Sequence, residues 1–101
     1  MSNYQVANTI LQQLGGHRFI VMTGAHTLAE IDKGLSFRIS SRMTKNKANA
    51  IKIVLDPSDT YTVKFIKLSK TKMTVVEEYS DVYCDSLQRI FTDATGMYTS
   101  L

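Results

Sequence analysis

The middle of the chain alternates apolar and polar residues in successive short runs, and no other feature constrains the fold as strongly. In the first run, Leu35, Phe37 and Ile39 fall on one side and Arg38 on the other. Alternation with a period of two is typical of strands that bury one face. On this basis we predict strands at residues 35–40, 50–55, 60–68 and 73–79.

Tight turns separate the later strands. Asp56-Pro57-Ser58-Asp59 forms one turn, because proline fixes φ at its first central position. Ser69-Lys70-Thr71-Lys72 forms a second turn. Parallel strands need long crossovers, so strands joined this closely must be antiparallel. The alternation loses its phase at Ile66, which would share a face with Lys64. Either a bulge or cover on both faces of the sheet would explain this.

Two amphipathic helices enclose the strands in the sequence. Residues 3–14 repeat apolar side chains at helical spacing, and Gly15-Gly16 ends this helix. The second predicted helix begins after a cap at Ser80 or Asp81. Its apolar stripe consists of Tyr83, Leu87, Ile90, Phe91 and Ala94.

The remaining segments are less regular. Residues 18–22 form an apolar run that predicts a strand covered on both faces. Residues 25–34 fit either a loop or a short helical turn, and residues 41–49 are predicted to be an exposed loop. The predicted fold is a single α+β domain over residues 1–101. It has two layers, with a mainly antiparallel sheet of about five strands and the N-terminal and C-terminal helices packed on one face.

Composition excludes several classes of protein. Cys84 is the one cysteine, so an internal disulfide is impossible and a secreted disulfide scaffold is excluded. No apolar run approaches the ~20 residues needed to cross a bilayer. No basic segment followed by an apolar stretch indicates a signal peptide. We therefore expect a cytoplasmic protein without membrane contact.

No group of residues in the sequence predicts catalysis. His17, His26 and Cys84 do not have the spacing of a metal motif. A lone cysteine on a helix is more often a small buried hydrophobe than a nucleophile. Glu77 and Glu78 are successive strand residues, so their side chains point to opposite faces and cannot act together on one substrate. We expect no enzymatic activity, no metal and no cofactor.

Positive charge is concentrated in the middle of the chain. Ten of the twelve lysines and arginines lie between residues 33 and 72, where only two aspartates oppose them. This window carries a net charge of +8, whereas residues 1–32 carry −1 and residues 73–101 carry −4. Such a field attracts phosphate backbones or acidic protein surfaces.

The alternation places three of these cations, Arg38, Lys52 and Lys64, on the sheet face away from the helices. The residues predicted to bind nucleic acid or an acidic partner are Arg38, Arg42, Lys45, Lys47, Lys52, Lys64, Lys70 and Lys72. Lysines on exposed strands also prevent edge pairing, and this structural role is the alternative. Lysines outnumber arginines eight to four, and the aromatic residues of these strands, Phe37, Tyr61 and Phe65, are predicted to point inward. Contact with the phosphate backbone, largely insensitive to sequence, is therefore expected.

Motifs at both ends of the chain resemble a known family. The motifs are Leu14-Gly15-Gly16, Phe19, Met22-Thr23-Gly24-Ala25, Phe91-Thr92 and Thr95-Gly96-Met97-Tyr98-Thr99-Ser100-Leu101, with the turn at 56–61 and Val82-Tyr83 between them. In these the chain is similar to small uncharacterised proteins encoded by bacteriophages and other bacterial mobile elements. The resemblance implies a location in the bacterial cytoplasm and supplies no catalytic residues. It makes a host protein, for example one of bacterial defence, the alternative acidic partner.

Overall fold

The computed structural model describes residues 3–42 and 44–99, and within them the chain forms five strands and three α-helices. The elements are α1 (Asn3–Leu14), α2 (His17–Thr23), β1 (His26–Ile31), β2 (Gly34–Arg38), β3 (Ala50–Leu55), β4 (Tyr61–Leu68), β5 (Met73–Val82), a 3-10 turn (Cys84–Ser86) and α3 (Leu87–Thr95). The strands form one antiparallel sheet in the order β1-β2-β3-β4-β5. The predicted α+β class is confirmed.

The helices cover one face of the sheet and enclose a cluster of phenylalanine rings. Phe91 of α3 lies 5.1 Å from Phe19 of α2, 6.4 Å from Phe37 of β2 and 6.5 Å from Phe65 of β4, measured between ring centroids. All four side chains are buried. Because aromatic rings bury large areas and prefer such edge-on or tilted contacts, this cluster fixes the layers against each other.

A hydrogen-bonded link joins α1 to the sheet. The Tyr61 hydroxyl donates to Gln13 Oε1 at 2.7 Å. Burial raises the pKa of Tyr61 above its usual value. The Gln88 side chain donates to the backbone oxygen of Gln13 at 3.2 Å. The end of α1 is thereby tied to both β4 and the start of α3.

The strand predicted at residues 18–22 is wrong, because these residues belong to helix α2. Phe19 and Thr23 are buried four residues apart, whereas Arg18 before Phe19 and Val21 between the two are exposed. Gly24 adopts a left-handed conformation and its N–H donates to the Ile20 oxygen, which closes the helix. A short apolar run alone does not distinguish a buried strand from a buried helix, and here glycines at both ends favour the helix.

The segment at residues 25–34, left open between a loop and a helical turn, contains the edge strand β1. Its register against β2 shifts between His26 and Ala29. Thr27 lies within this bulge with a φ of 53°. An irregularity of this kind discourages pairing of the edge strand with other chains.

The last helix begins later than predicted. β5 continues through Val82, and α3 starts at Leu87 rather than after Ser80 or Asp81. Tyr83, expected in the apolar stripe, is exposed, and Cys84 is also exposed rather than buried. Leu87, Phe91 and Ala94 are buried and Ile90 packs beside them, as the stripe predicted. The final motif residues Ser100 and Leu101 lie outside the described part of the chain.

The phase change near Ile66 has both of the causes that were left open. The register of β4 against β5 moves from Phe65↔Glu77 to Ile66↔Val75, which leaves one extra residue in β5. Ile66 also pairs with Ala50 on the same face as Lys64, and it is only 2% exposed there. An apolar side chain is therefore covered on the face opposite the helices.

Candidate nucleic-acid interface

The face of the sheet opposite the helices, here called the open face, carries three of the predicted cations. Lys52 pairs with both Ser36 and Lys64, and Arg38 pairs with Ala50. Paired residues on neighbouring strands lie on the same face, and alternate residues of one strand do so too. Arg38, Lys52 and Lys64 therefore share the open face.

One acidic residue limits this row of cations. Glu78 lies opposite Lys64 in the register, on the outermost strand β5. Glu77 pairs with Phe65 and points to the other face, so the two glutamates are separated as their sequence positions predicted. The positive part of the open face is therefore centred on β2 and β3 rather than on β5.

Two connections at one end of the sheet add five more cations. The loop 39–49 joins β2 to β3 and the turn 69–72 joins β4 to β5, so both lie at the same end of an antiparallel sheet. Asn49 links them directly, since its side-chain amide donates to the Leu68 oxygen at 2.9 Å and its Oδ1 accepts from the Leu68 N–H at 2.8 Å. We call these two connections the basic end. Their cations are Arg42, Lys45, Lys47, Lys70 and Lys72, all exposed, with no acidic residue among them.

The opposite end of the sheet has the opposite charge. It comprises the turn at residues 32–33, the turn at residues 56–60 and the end of β5. Its charged residues are Asp32, Lys33, Asp56, Asp59 and Asp81. Lys33 belongs to the +8 window in the sequence, yet the fold places it at this acidic end. The charge asymmetry of the chain thus becomes a separation of charge along the strand direction.

Lys45 is set apart from the other cations. Its N–H donates to the Thr95 oxygen at 2.9 Å, and its side chain runs beside Gly96 at the end of α3. A cation in this position suits the negative end of the helix dipole. The structure therefore places Lys45 on the helix side of the molecule, away from Lys52 and Lys64.

Residues 41–49 were predicted to be an exposed loop, but part of this segment is buried and anchored. Thr44 is buried and its hydroxyl lies 2.9 Å from the Ala48 oxygen, to which it donates. Asn46 Nδ2 donates to Glu77 at 3.2 Å, and the Tyr79 hydroxyl donates to the same carboxylate. The bond to Glu77, followed by burial, raises the pKa of Tyr79. These contacts hold the loop against β5, so its cations project from a fixed base.

A depression of about 340 Å³ lies on the open face beside Arg38 and Lys52. Its floor contains Ala50 and Ile66, which are 7% and 2% exposed. Leu68 and Met73 form one wall, and Ala29 of β1 lies on the other side. The site therefore combines an apolar floor with cationic side chains.

These apolar residues were not among the predicted site residues. The single sign of them was the phase change at Ile66 and Leu68, two apolar residues in register with Lys64. The sequence of one strand could not distinguish a bulge from burial on both faces, because the side chains that bury Ile66 come from β2, β3 and β5.

The described residues contain no group of three or more His, Cys, Asp or Glu side chains that could hold a metal ion. No helix within residues 3–42 and 44–99 is long and apolar enough to cross a membrane. No family model, curated protein or solved structure matches the chain. The site is therefore interpreted from its own geometry.

Proposed function

We propose that this protein is a non-enzymatic, phage-type accessory protein that binds the phosphate backbone of nucleic acid. The observation that carries the proposal is the placement of Arg38, Lys52 and Lys64 on one face, next to a basic end without acidic residues. Phosphates along a strand attract such an extended array, because each neutralised phosphate releases condensed counterions.

Salt dependence tests the proposal. A fluorescently labelled oligonucleotide is titrated with the protein at several salt concentrations, and the binding constant is obtained from fluorescence anisotropy. If about five cations contact phosphates, the logarithm of the binding constant falls with the logarithm of salt concentration with a slope of about −4 to −5 for duplex DNA. Lack of association with both DNA and RNA at low salt would contradict the proposal.

Charge variants identify the surface. The double variant Lys52→Gln, Lys64→Gln removes two cations from the open face and is expected to reduce the slope by about two. The matched control Arg18→Gln, Arg89→Gln removes the same charge from exposed positions on the helices. The control is expected to show the same slope of binding against salt concentration as the wild type. Equal losses in the two variants would show that net charge, and not this face, determines binding.

The Lys45→Gln variant tests whether nucleic acid binds at the open face or at the loop 39–49. Lys45 lies beside the end of α3, so its replacement is expected to change the slope less than replacement of Lys52. Lys70→Gln, in the turn 69–72 next to the open face, is expected to act like the open-face variants. A larger change in slope for Lys45→Gln than for replacement of Lys52 would show that nucleic acid binds on the helix side of the molecule.

The alternative function is binding to an acidic surface of a host protein, for example one of bacterial defence. Lysine point charges on a fixed loop are suited to steering such an encounter, and this favours the alternative. The purified protein is used to capture partners from a nuclease-treated bacterial lysate, with the Lys52→Gln, Lys64→Gln variant as control. A partner that the wild type retains and the variant loses, together with no oligonucleotide binding, would support this alternative.

A further inference from the structure

The depression on the open face has a feature that binding to phosphates alone does not need. Ala50 and Ile66 form an apolar floor on the side of the sheet away from the helices, and Met73 at its wall is 61% exposed. The apolar surface that is open to water belongs to the walls, to exposed Met73 and Ala29 and half-buried Leu68, and water released from these walls favours a ligand that presents an apolar face. The neighbouring Arg38 and Lys52 favour a ligand that is also anionic.

The size of the depression fits one unit of such a ligand. Its volume of about 340 Å³ is near the lower limit of small-ligand pockets, which are roughly 300–1,000 Å³. Arg38 pairs with Ala50 and Lys52 pairs with Ser36, so the two cations occupy diagonal positions on adjacent strands, roughly 7–8 Å apart. Charges at that spacing can contact the phosphates that flank a single nucleotide.

The side chains around the depression are suited to a flat aromatic ring. The thioether of methionine makes favourable contacts with aromatic rings, and Met73 is placed to provide one. An arginine guanidinium also stacks on aromatic faces. Arg38 Nε donates to the backbone oxygen of Asn49 at 3.3 Å, which takes one of the five N–H donors of the guanidinium and orients its plane.

We propose that the depression receives an unpaired nucleobase, with the flanking phosphates on Arg38 and Lys52, so that single-stranded nucleic acid is the preferred ligand. This inference rests on the proposed function. A duplex keeps its bases paired and stacked, and only an unpaired strand can turn a base outward onto a protein surface. The stacking surface here is aliphatic and thioether rather than the usual aromatic platform.

Three labelled ligands of equal length test the inference at one low salt concentration. They are a single-stranded oligothymidylate, an abasic strand with the same phosphates and sugars, and a duplex. We expect the oligothymidylate to bind about tenfold more tightly than the abasic strand, because one base–protein stacking contact contributes on that order. We also expect it to bind more tightly than the duplex.

Two substitutions that leave the charge of the protein unchanged test whether the base lies in the depression. Met73→Ala removes the thioether, and Ala29→Leu fills the depression from an exposed position on β1. Both are expected to reduce the affinity for oligothymidylate by about fivefold to tenfold and to leave the affinity for the abasic strand unchanged. The control Val21→Ala shortens an exposed apolar side chain on α2 and is expected to change neither affinity. Thermal unfolding of each variant verifies that the fold is retained.

The possible results separate the inference from the function on which it rests. Equal affinity for the oligothymidylate and the abasic strand would overturn the inference while the backbone function stands, as would tighter binding of the duplex. If Met73→Ala and Ala29→Leu reduced the affinity for the oligothymidylate and for the abasic strand equally, the inference would also be overturned. The two residues would then affect binding by changing the structure of the protein and not by contacting a base. No binding of any of the three ligands would overturn the proposed function and the inference together. If polyglutamate at equal charge concentration displaced the oligothymidylate and the abasic strand equally well, the depression would be assigned as a binding site for an acidic protein surface.

Discussion

The Glu77 carboxylate accepts one hydrogen bond from Tyr79 on the same strand and one from Asn46, and the bond from Asn46 ties the loop 39–49 to β5. At the scale of single residues, this cluster has a measurable signature because the bond to Glu77 raises the pKa of Tyr79 above its usual value of 10.0. The folded protein thus holds the phenolic proton more tightly than the unfolded chain. The resulting stabilisation is complete below pH 10 and is lost as the pH rises through the raised pKa.

The Tyr79→Phe variant tests this signature. We expect the free energy of unfolding of the wild type to fall more steeply above about pH 10 than that of the variant, which lacks the titrating group. Urea unfolding at a series of pH values measures both curves. Tyr98→Phe, at an exposed position, is the control and should follow the wild type. Parallel curves for wild type and Tyr79→Phe would contradict the role of Glu77.

Single residues also show how far the site could be predicted. Alternation alone placed Lys52 and Lys64 on one face, because strand geometry is local. Lys45 was grouped with them because it is near in sequence, but its N–H bonds to Thr95, fifty positions away. Asn49 was part of a featureless loop in the sequence, although its side chain forms two bonds to Leu68. Contacts between distant segments leave no periodic signal.

At the scale of elements, the start of β2 lies too close to the backbone of β3 to leave room for a side chain at Gly34. A Cβ added to Gly34 would lie 2.2 Å from the Ile53 oxygen and 3.1 Å from the Val54 Cα on β3. Real Cβ atoms essentially never lie as close as 2.2 Å to a backbone atom, so a larger residue must push the two strands apart. Glycine at this position therefore permits the pairing of β2 with β3.

Gly34→Ala is accordingly expected to destabilise the protein by about 3 kcal/mol, near the upper end for overpacked sites. Chemical denaturation measures the change in the free energy of unfolding. The matched control is Ser36→Ala, two residues along the same strand, where a Cβ is already present. A loss within about 0.5 kcal/mol for Gly34→Ala would show that the strands adjust without cost.

The elements differ in how well the sequence predicted them. The strands β2, β3 and β4 and the helix α1 have strong periodicity, and the structure confirms them. Helix α2 was mistaken for a strand because seven residues are too few to show a helical period. β1 is exposed along most of its length, so it has no apolar alternation to detect.

At the scale of the whole molecule, Phe91 joins more elements than any neighbouring side chain in the ring cluster. Its contacts reach α2, β2 and β4. We expect Phe91→Ala to reduce the free energy of unfolding by about 3–5 kcal/mol, a large share of the roughly 5–15 kcal/mol that a domain possesses. Tyr98→Ala, at a site that is 70% exposed, is the control and should have little effect. A loss below about 1 kcal/mol at Phe91 would mean that the core closes without this ring.

The arrangement of charge belongs to this scale too. The sequence contained the +8 window, but the separation into a basic and an acidic end exists only because successive turns of the sheet lie at alternate ends. Lys33 and Lys72 mark the two limits of that window and come to lie at opposite ends of the molecule. No composition of a segment could reveal this without the strand topology.

The order of the strands also has a consequence for how the protein forms during synthesis. Each strand pairs with the strand made just before it, so the sheet can assemble progressively through local contacts, which form quickly. Phe91 is absent until the last helix has been made, and until then Phe19, Phe37 and Phe65 lack the ring that covers them. The sheet can therefore pair before the ring cluster is closed, and the nascent chain is least stable until the residues of α3, Leu87–Thr95, have been added.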